Sequence, residues 1–489
     1  MKNEKTFGGG VFKLLNRNIK DFNKIILSLG CISFLSLMGL LSYKISSSYA
    51  YFTNSVTGNN IIEMTYEKQN LDKSGANVPV LSDNMIPVYY DEASKVWKKA
   101  DSKNSKEEYN WYDYDNKMWA NAVTVTETNR NTYLNASLGT EIPMSDINTM
   151  WVWIPRYTYT YFSSSTPVEI NIKFEKGTNS SGTISCTDTV EATSSTSETC
   201  TDSKNESFII GTSTYTHPAF WWDKNDNSVR ESGEELTGIW VGKFEISSEQ
   251  VIKPNVTSLR EINISTFYNN IYNMRNGGNS FGFSTSDEVH MIKNMEWGAV
   301  TYLSHSKYGT CINETCEDVE PNSYNGYVTG CGPQSSNSTL SGGLCNEYNT
   351  DLGKQASTTG NIYGIYDMSG GAEEYVMGNV AYSSDSMRSG SSGFSTYPNK
   401  RYYDKYSQGT DMKTDYERGK LGDATEEMQP VSNTQRSWYY VYVNFPYSSW
   451  PWFARGDSWN GSPSLFSFSY GIGAGVSINS TRAVISNLT

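Results

Sequence analysis

The sequence predicts an α+β fold weighted towards strands, and three observations predict it. Aromatic residues reach 13% of the chain, with 35 Tyr and 13 Trp, and such side chains favour pleated, half-buried surfaces. Short apolar runs alternate with polar turns along much of the chain, the pattern of strands in an antiparallel sheet. Beyond the N-terminal region, one stretch, Asp287 to Leu303, carries the apolar 3–4 spacing of a helix (Val289, Met291, Ile292, Met295, Trp297, Val300, Leu303). At 489 residues the chain exceeds a single ordinary domain and implies two or three units with linkers.

Taken in order, residues 1–24 are basic and read as a cytoplasmic segment. Ile25 to Tyr43 follows, 19 residues without a charge, long enough to cross a bilayer core of about 30 Å. Basic residues before it predict the N-terminus inside and the body outside. Ser48-Tyr49-Ala50 places small residues as a signal peptidase requires. The segment therefore reads as a single-pass anchor of the cell membrane or as a signal cleaved near Ala50. Residues 44–75 form a polar linker. Short aromatic runs between charged turns make 76–140 a small β-rich spacer, and 141–489 the main domain. Within that domain Met150–Ile154 is an apolar strand stopped by Pro155, and Tyr157, Tyr159 and Tyr161 alternate with threonines. Residues 177–206 are a Ser/Thr-rich insertion, Gly238–Ser247 is another strand, and loops dominate 306–360 and 381–436.

Composition excludes several classes. Charged residues at 19% against 37% hydrophobic fit neither a charged disordered chain nor a polytopic membrane protein. A net charge of −13 excludes nucleic acid as a partner. Three histidines, His217, His290 and His305, leave little for a histidine-built metal centre. Cys31 lies in the apolar run. The other six cysteines fall in close sequence pairs, Cys186 with Cys200, Cys311 with Cys316 and Cys331 with Cys345. Six cysteines permit fifteen pairings, and in an oxidising compartment disulfides closing loops are expected.

One stretch is specific: Asn361-Ile-Tyr-Gly-Ile-Tyr-Asp-Met-Ser-Gly-Gly-Ala-Glu-Glu-Tyr-Val-Met-Gly378. It resembles the "GLYDMSGNVWEWV" signature of the formylglycine-generating, sulfatase-modifying-factor family, a branch of the C-type-lectin fold. Four more landmarks resemble that family in the same order: Gly238–Ser247, Ile292–Tyr302, Ala454-Arg-Gly-Asp-Ser-Trp459 and Ser480-Thr-Arg-Ala-Val-Ile485. The resemblance spans about 250 residues and implies a lectin-type head. It also implies a calcium site built from backbone carbonyls and an acid, which falls here on Gly371 and Glu374. Gly371 stands where the family has Asn, and Glu373 where it has Trp. Calcium is thus a candidate cofactor.

The family's oxidative chemistry needs a cysteine pair after the Arg455 turn, where thiolates bind copper. This chain has no cysteine beyond Cys345, so no copper and no catalysis are expected. Glu373 and Glu374 are adjacent and diverge on a strand, which disfavours an acid–base pair. Arg455 and Arg482 read as structural.

From Arg436 to Tyr470, 13 of 35 residues are aromatic, interspersed with Ser, Asn and Gly. This is the composition of a binding surface, with rigid rings for area and small polar residues for adaptable hydrogen bonds. Trp438, Tyr439, Tyr440, Tyr442, Tyr447, Trp450, Trp459 and Tyr470 are the candidate ligand-binding residues. The stretch 436–482 also resembles the variable region of lectin-fold proteins diversified by retroelements, on Trp452–Asp457 and Thr481–Ile485. The expectation is an exported, surface-displayed binder of a protein or glycan at a cell or phage surface, with a catalytically inactive head. The alternatives are an extracellular oxidase of the formylglycine-generating type and a structural surface or tail-fibre component.

Overall fold

The computed structural model describes residues 70–184, 210–227, 230–276, 280–333, 344–383, 386–407, 419–425, 427–428, 436–456 and 463–487, with the backbone of 56–57 and 61–62. Residues 1–69 and 70–489 form separate units. In the first, β1 (Val56–Thr57) pairs antiparallel with β2 (Ile61–Ile62). The predicted segments 1–24 and 25–43, Cys31, Cys186, Cys200 and Trp459 lie outside the described residues. Among the described residues no helix is long and apolar enough to cross a membrane.

The second unit is α+β and strand-rich. It opens with β3 (Ile86–Asp91), β4 (Val96–Lys99), β5 (Asn121–Val125) and β6 (Ile147–Pro155), each antiparallel to its neighbours in the order β6-β5-β3-β4. Beyond Pro155 the chain enters a second sheet of β7 (Tyr157–Thr160), β8 (Ile172–Phe174), β9 (Thr183–Ile184) and β10 (Thr214–Thr216). Arg156 sits at this junction, fully buried, with Nε 2.8 Å from Glu175 and Nη1 2.5 Å from Glu235. The chain returns to the first sheet as β11 (Gly238–Gly242), on the free side of β6, and then β12 (Val289–Met291). Trp153 and Trp240 face each other across the β6/β11 pair with ring centroids 5.2 Å apart. Gly238 permits that packing, since a Cβ there would meet the Trp153 ring at 2.4 Å.

A third sheet is built around β13 (Glu373–Ser383), with β14 (Ser386–Met387), β15 (Asp404–Tyr406), β16 (Trp452–Arg455), β17 (Phe468–Gly471) and β18 (Asn479–Ser480). The closing strand β19 (Ala483–Ile485) slots between β11 and β12, completing a seven-stranded antiparallel sheet in the order β12-β19-β11-β6-β5-β3-β4.

The segment expected as a separate spacer, 76–140, is therefore part of the main unit. It supplies three of the seven strands of the largest sheet, and Thr124 and Thr149 hydroxyls join β5 to β6 at 2.5 Å. Its alternation predicted strands correctly but carried no information about their partner, which is a long-range choice.

The predicted helix over 287–303 divides in two. Residues 289–291 extend as β12, and the helix runs Asn294–Ser304 with every residue buried. Glu296 decides where it starts, since its Oε2 accepts from the Lys293 backbone N–H at 2.8 Å while Oε1 meets His290 Nε2 at 2.9 Å. Of the expected disulfides, Cys311–Cys316 and Cys331–Cys345 are formed.

Candidate binding cleft

Strands β16 and β17 pair antiparallel, with Trp452 opposite Gly471 and Phe453 opposite Tyr470. Before them, residues 436–450 form a series of tight turns. Tyr439 and Tyr440 adopt left-handed backbone angles, with φ of 55° and 61°. Tyr447 and Trp450 exchange two backbone hydrogen bonds, 3.1 and 3.0 Å, around Ser448 and Ser449. That turn sets both rings against Tyr470, edge-on, with centroids 5.4 Å (Tyr447) and 5.6 Å (Trp450) away.

The result is a cavity of about 540 Å³ walled by Tyr442, Asn444, Tyr447, Trp450, Ser469 and Tyr470, with Ile472, Val476 and Ile478 on its apolar side. Glu373, Tyr375, Gly471 and Asn479 complete the lining. Glu373 is held there by its backbone N–H on the Ile478 carbonyl (2.9 Å) and by Asn479 Nδ2 on its Oε2 (3.0 Å). Gly471 leaves room for Tyr375, whose ring a Cβ at 471 would meet at 2.3 Å. Burial, and then the charge of Glu373, push the Tyr375 hydroxyl above its ordinary range.

Of the eight predicted ligand-binding residues, four converge on this cleft: Tyr442, Tyr447, Trp450 and Tyr470. Three do not. Trp438 is fully buried, packed on Phe162, His305 and Phe466 at 5.4, 5.1 and 5.0 Å. Tyr439 bridges His305 Nε2 (2.7 Å) and the Cys316 carbonyl (2.9 Å). Tyr440 is 67% exposed but outside the lining, beneath the Arg436 guanidinium at 5.1 Å. Sequence reasoning missed Glu373, Tyr375, Asn444 and Asn479. Strand alternation was the available signal for Glu373, since it and Glu374 do diverge on β13.

Glu374 points the other way, into the core. Arg482 Nε lies 3.0 and 2.8 Å from its two oxygens, and Nη2 also contacts Oε1. Gly371 (φ +69°) turns the chain beside Glu245, whose Oε1 a Cβ would meet at 2.9 Å. A calcium ion at Glu374 would have to share that carboxylate with a fixed guanidinium. Held by Arg482 as an ion-pair partner, Glu374 does not fit the calcium role expected of it. The three histidines also have partners, His217 Nε2 on the Gly422 carbonyl at 2.9 Å and the others as above. A ring nitrogen of His305 lies within 4.8 Å of both sulfurs of Cys311 and Cys316. Joined as a disulfide, these sulfurs lack the thiolate charge that a metal requires.

The buried groups make a testable pH profile. Burial pushes the carboxyl of Glu427 up to about 7, so it favours the folded state when protonated, and that stability is lost as pH rises through 7. Burial depresses His217 to about 3 and His305 to about 4, so their contribution is present above about 6.5 and is lost as pH falls towards 4. The thermal midpoint should rise by about a degree from pH 8 to pH 6, at about 1 kcal/mol for the carboxyl, and fall as pH drops further towards 4. Glu427→Gln should flatten the alkaline limb. A midpoint that climbs steadily to pH 8 would contradict the assignment.

Compared with known protein families the chain matches no family model, and compared with characterised proteins it shows no significant sequence match.

Proposed function

We propose that this chain is an exported, surface-displayed ligand-binding protein whose site is the aromatic cleft. In this reading its head is a catalytically inactive relative of the formylglycine-generating lectin fold. One observation carries the binding proposal: apart from Glu373 and Tyr375, every described residue lining the cleft falls within 436–482. That stretch contains the aromatic run 436–470 whose composition reads as a binding surface, and it resembles a diversified region at Trp452–Asp457 and at its C-terminal end. Substitutions at those lining positions would re-line the cleft without changing any residue of β13 or of the seven-stranded sheet.

The resemblance to the family is supported by the way its landmarks share one buried cluster. Arg482 of the closing strand region binds Glu374 of the glycine motif and the carbonyls of Gly242 and Tyr366, each at 3.0 Å. Gly370 donates its backbone N–H to the Gly456 carbonyl at 3.1 Å. The oxidase alternative requires free thiols, and among the described residues the four cysteines, Cys311, Cys316, Cys331 and Cys345, are paired.

The test is capture of surface proteins and glycans on arrays by the full chain, against Trp450→Ala and Tyr470→Ala. Aromatic anchors of this kind are worth roughly 2 kcal/mol or more, so each variant should lose at least ten-fold in retention. Unchanged retention by both variants would remove the cleft from consideration.

A further inference from the structure

Resting on the cleft as the binding site, we infer that it is built for a methylated ammonium group, of the trimethylammonium type. Rings surround the cavity on several sides rather than forming one flat platform. Tyr447 and Trp450 stand near-perpendicular to Tyr470, at interplanar angles of 85° and 70°, and Tyr442 and Tyr375 also line the cavity. Ring faces carry partial negative charge and attract cations, with Trp the best of them. Glu373 is the one charged side chain among the described lining residues.

Two further observations favour a cation over a neutral or anionic ligand. The chain carries a net charge of −13, which concentrates cations and repels anions over distances beyond contact. The rim rings already hold a cation of the chain itself, since the Arg436 guanidinium lies 5.1 Å from the Tyr440 centroid and 5.6 Å from that of Tyr442. Arg436 thus occupies one side of Tyr442, outside the lining, and leaves Tyr447, Trp450 and Tyr470 to the ligand.

Methylation of the ammonium follows from the apolar side of the cleft. Ile472, Val476, Ile478 and Gly471 offer no side-chain acceptors, so N–H donors of a primary ammonium turned towards them would be left unpaired, whereas methyl groups there would not. A trimethylammonium group has no donors to lose, packs its methyls against these residues and keeps its charge near Glu373. The polar groups of Asn444, Ser469 and Asn479 can serve whatever hydroxyl or ester the head group carries.

The experiment is titration of the full chain with choline and with its neutral isostere 3,3-dimethylbutan-1-ol, followed by calorimetry and by tryptophan fluorescence. Choline should bind at least ten-fold more tightly than the isostere. Glu373→Gln, which preserves shape and the Asn479 contact, should reduce that preference several-fold by weakening choline more than the isostere, and Trp450→Ala should weaken both. Equal affinity for the two probes, with both weakened by Trp450→Ala, would overturn the cation inference and leave the cleft as the site. Binding of neither probe, together with array retention unaffected by Trp450→Ala, would overturn both. Competition of bound choline by phosphatidylcholine vesicles would place the group on a lipid, and its absence on a soluble ligand; either result supports the chemistry.

Discussion

Arg482→Met is expected to cost about 3–5 kcal/mol, the range for breaking a fully buried ion pair, and to leave little soluble protein. The guanidinium makes hydrogen bonds to both oxygens of Glu374 and to the carbonyls of Gly242 and Tyr366, and it lies 5.9 Å from the Trp297 ring centroid. It thereby ties the end of β11, the glycine motif around Tyr366 and β13 to the start of β19. Its loss would leave an ionised carboxylate and two carbonyls buried without donors, and the desolvation cost of those groups sets the size of the effect. Glu374→Gln should be milder, because the amide oxygen still accepts from the guanidinium. The double variant Arg482→Met, Glu374→Met should recover part of the loss. Urea unfolding followed by tryptophan fluorescence reads all three, and a double variant no more stable than Arg482→Met alone would show that the charge left on Glu374 is not the cause.

Gly298→Ala is the second large effect, and its sign opposes helix propensity. In the interior of an exposed helix the change would stabilise by about 1 kcal/mol. Here a Cβ would meet the Gly422 carbonyl oxygen at 1.9 Å and the Asp423 Cα at 2.8 Å, both backbone atoms. Moving that backbone would draw Asp423 away from the Tyr406 hydroxyl (2.9 Å) and its carbonyl from Arg455 Nη1 (3.3 Å). Overpacking of this kind costs roughly 1–3 kcal/mol, and the upper end is expected because no flexible side chain can give way. A measured midpoint equal to or above that of the parent chain would mean the 419–425 segment does not press on the helix.

Gly298 also illustrates how far the sequence could be read. A glycine within Ile292–Tyr302 is compatible with a helix, but nothing in that stretch names the loop that requires it. The same limit applies to the aromatic segment. Its composition pointed to a binding surface, and Tyr442, Tyr447, Trp450 and Tyr470 do line a cleft. Trp438, in the same run, is wholly buried against Phe162 and His305, because an aromatic ring serves core and surface equally well and composition does not separate them. Glu373 was set aside as half of an unsuitable acid pair, and the alternation that separated it from Glu374 turned it towards the cleft.

By itself, the sequence determined the strand-rich class and the presence of a helix within 287–303, and it favoured the local closure of Cys311–Cys316 and Cys331–Cys345 and a structural character for Arg455 and Arg482. Each of these depends on residues near one another in the chain or on a charge too costly to bury without partners. Tertiary structure alone decided that β3, β4 and β5 belong to the main sheet, that Glu374 is spent on Arg482, and which aromatic rings face the cleft. These are choices among long-range partners, and a period of two along a strand specifies opposite faces without saying which one another strand or helix will cover.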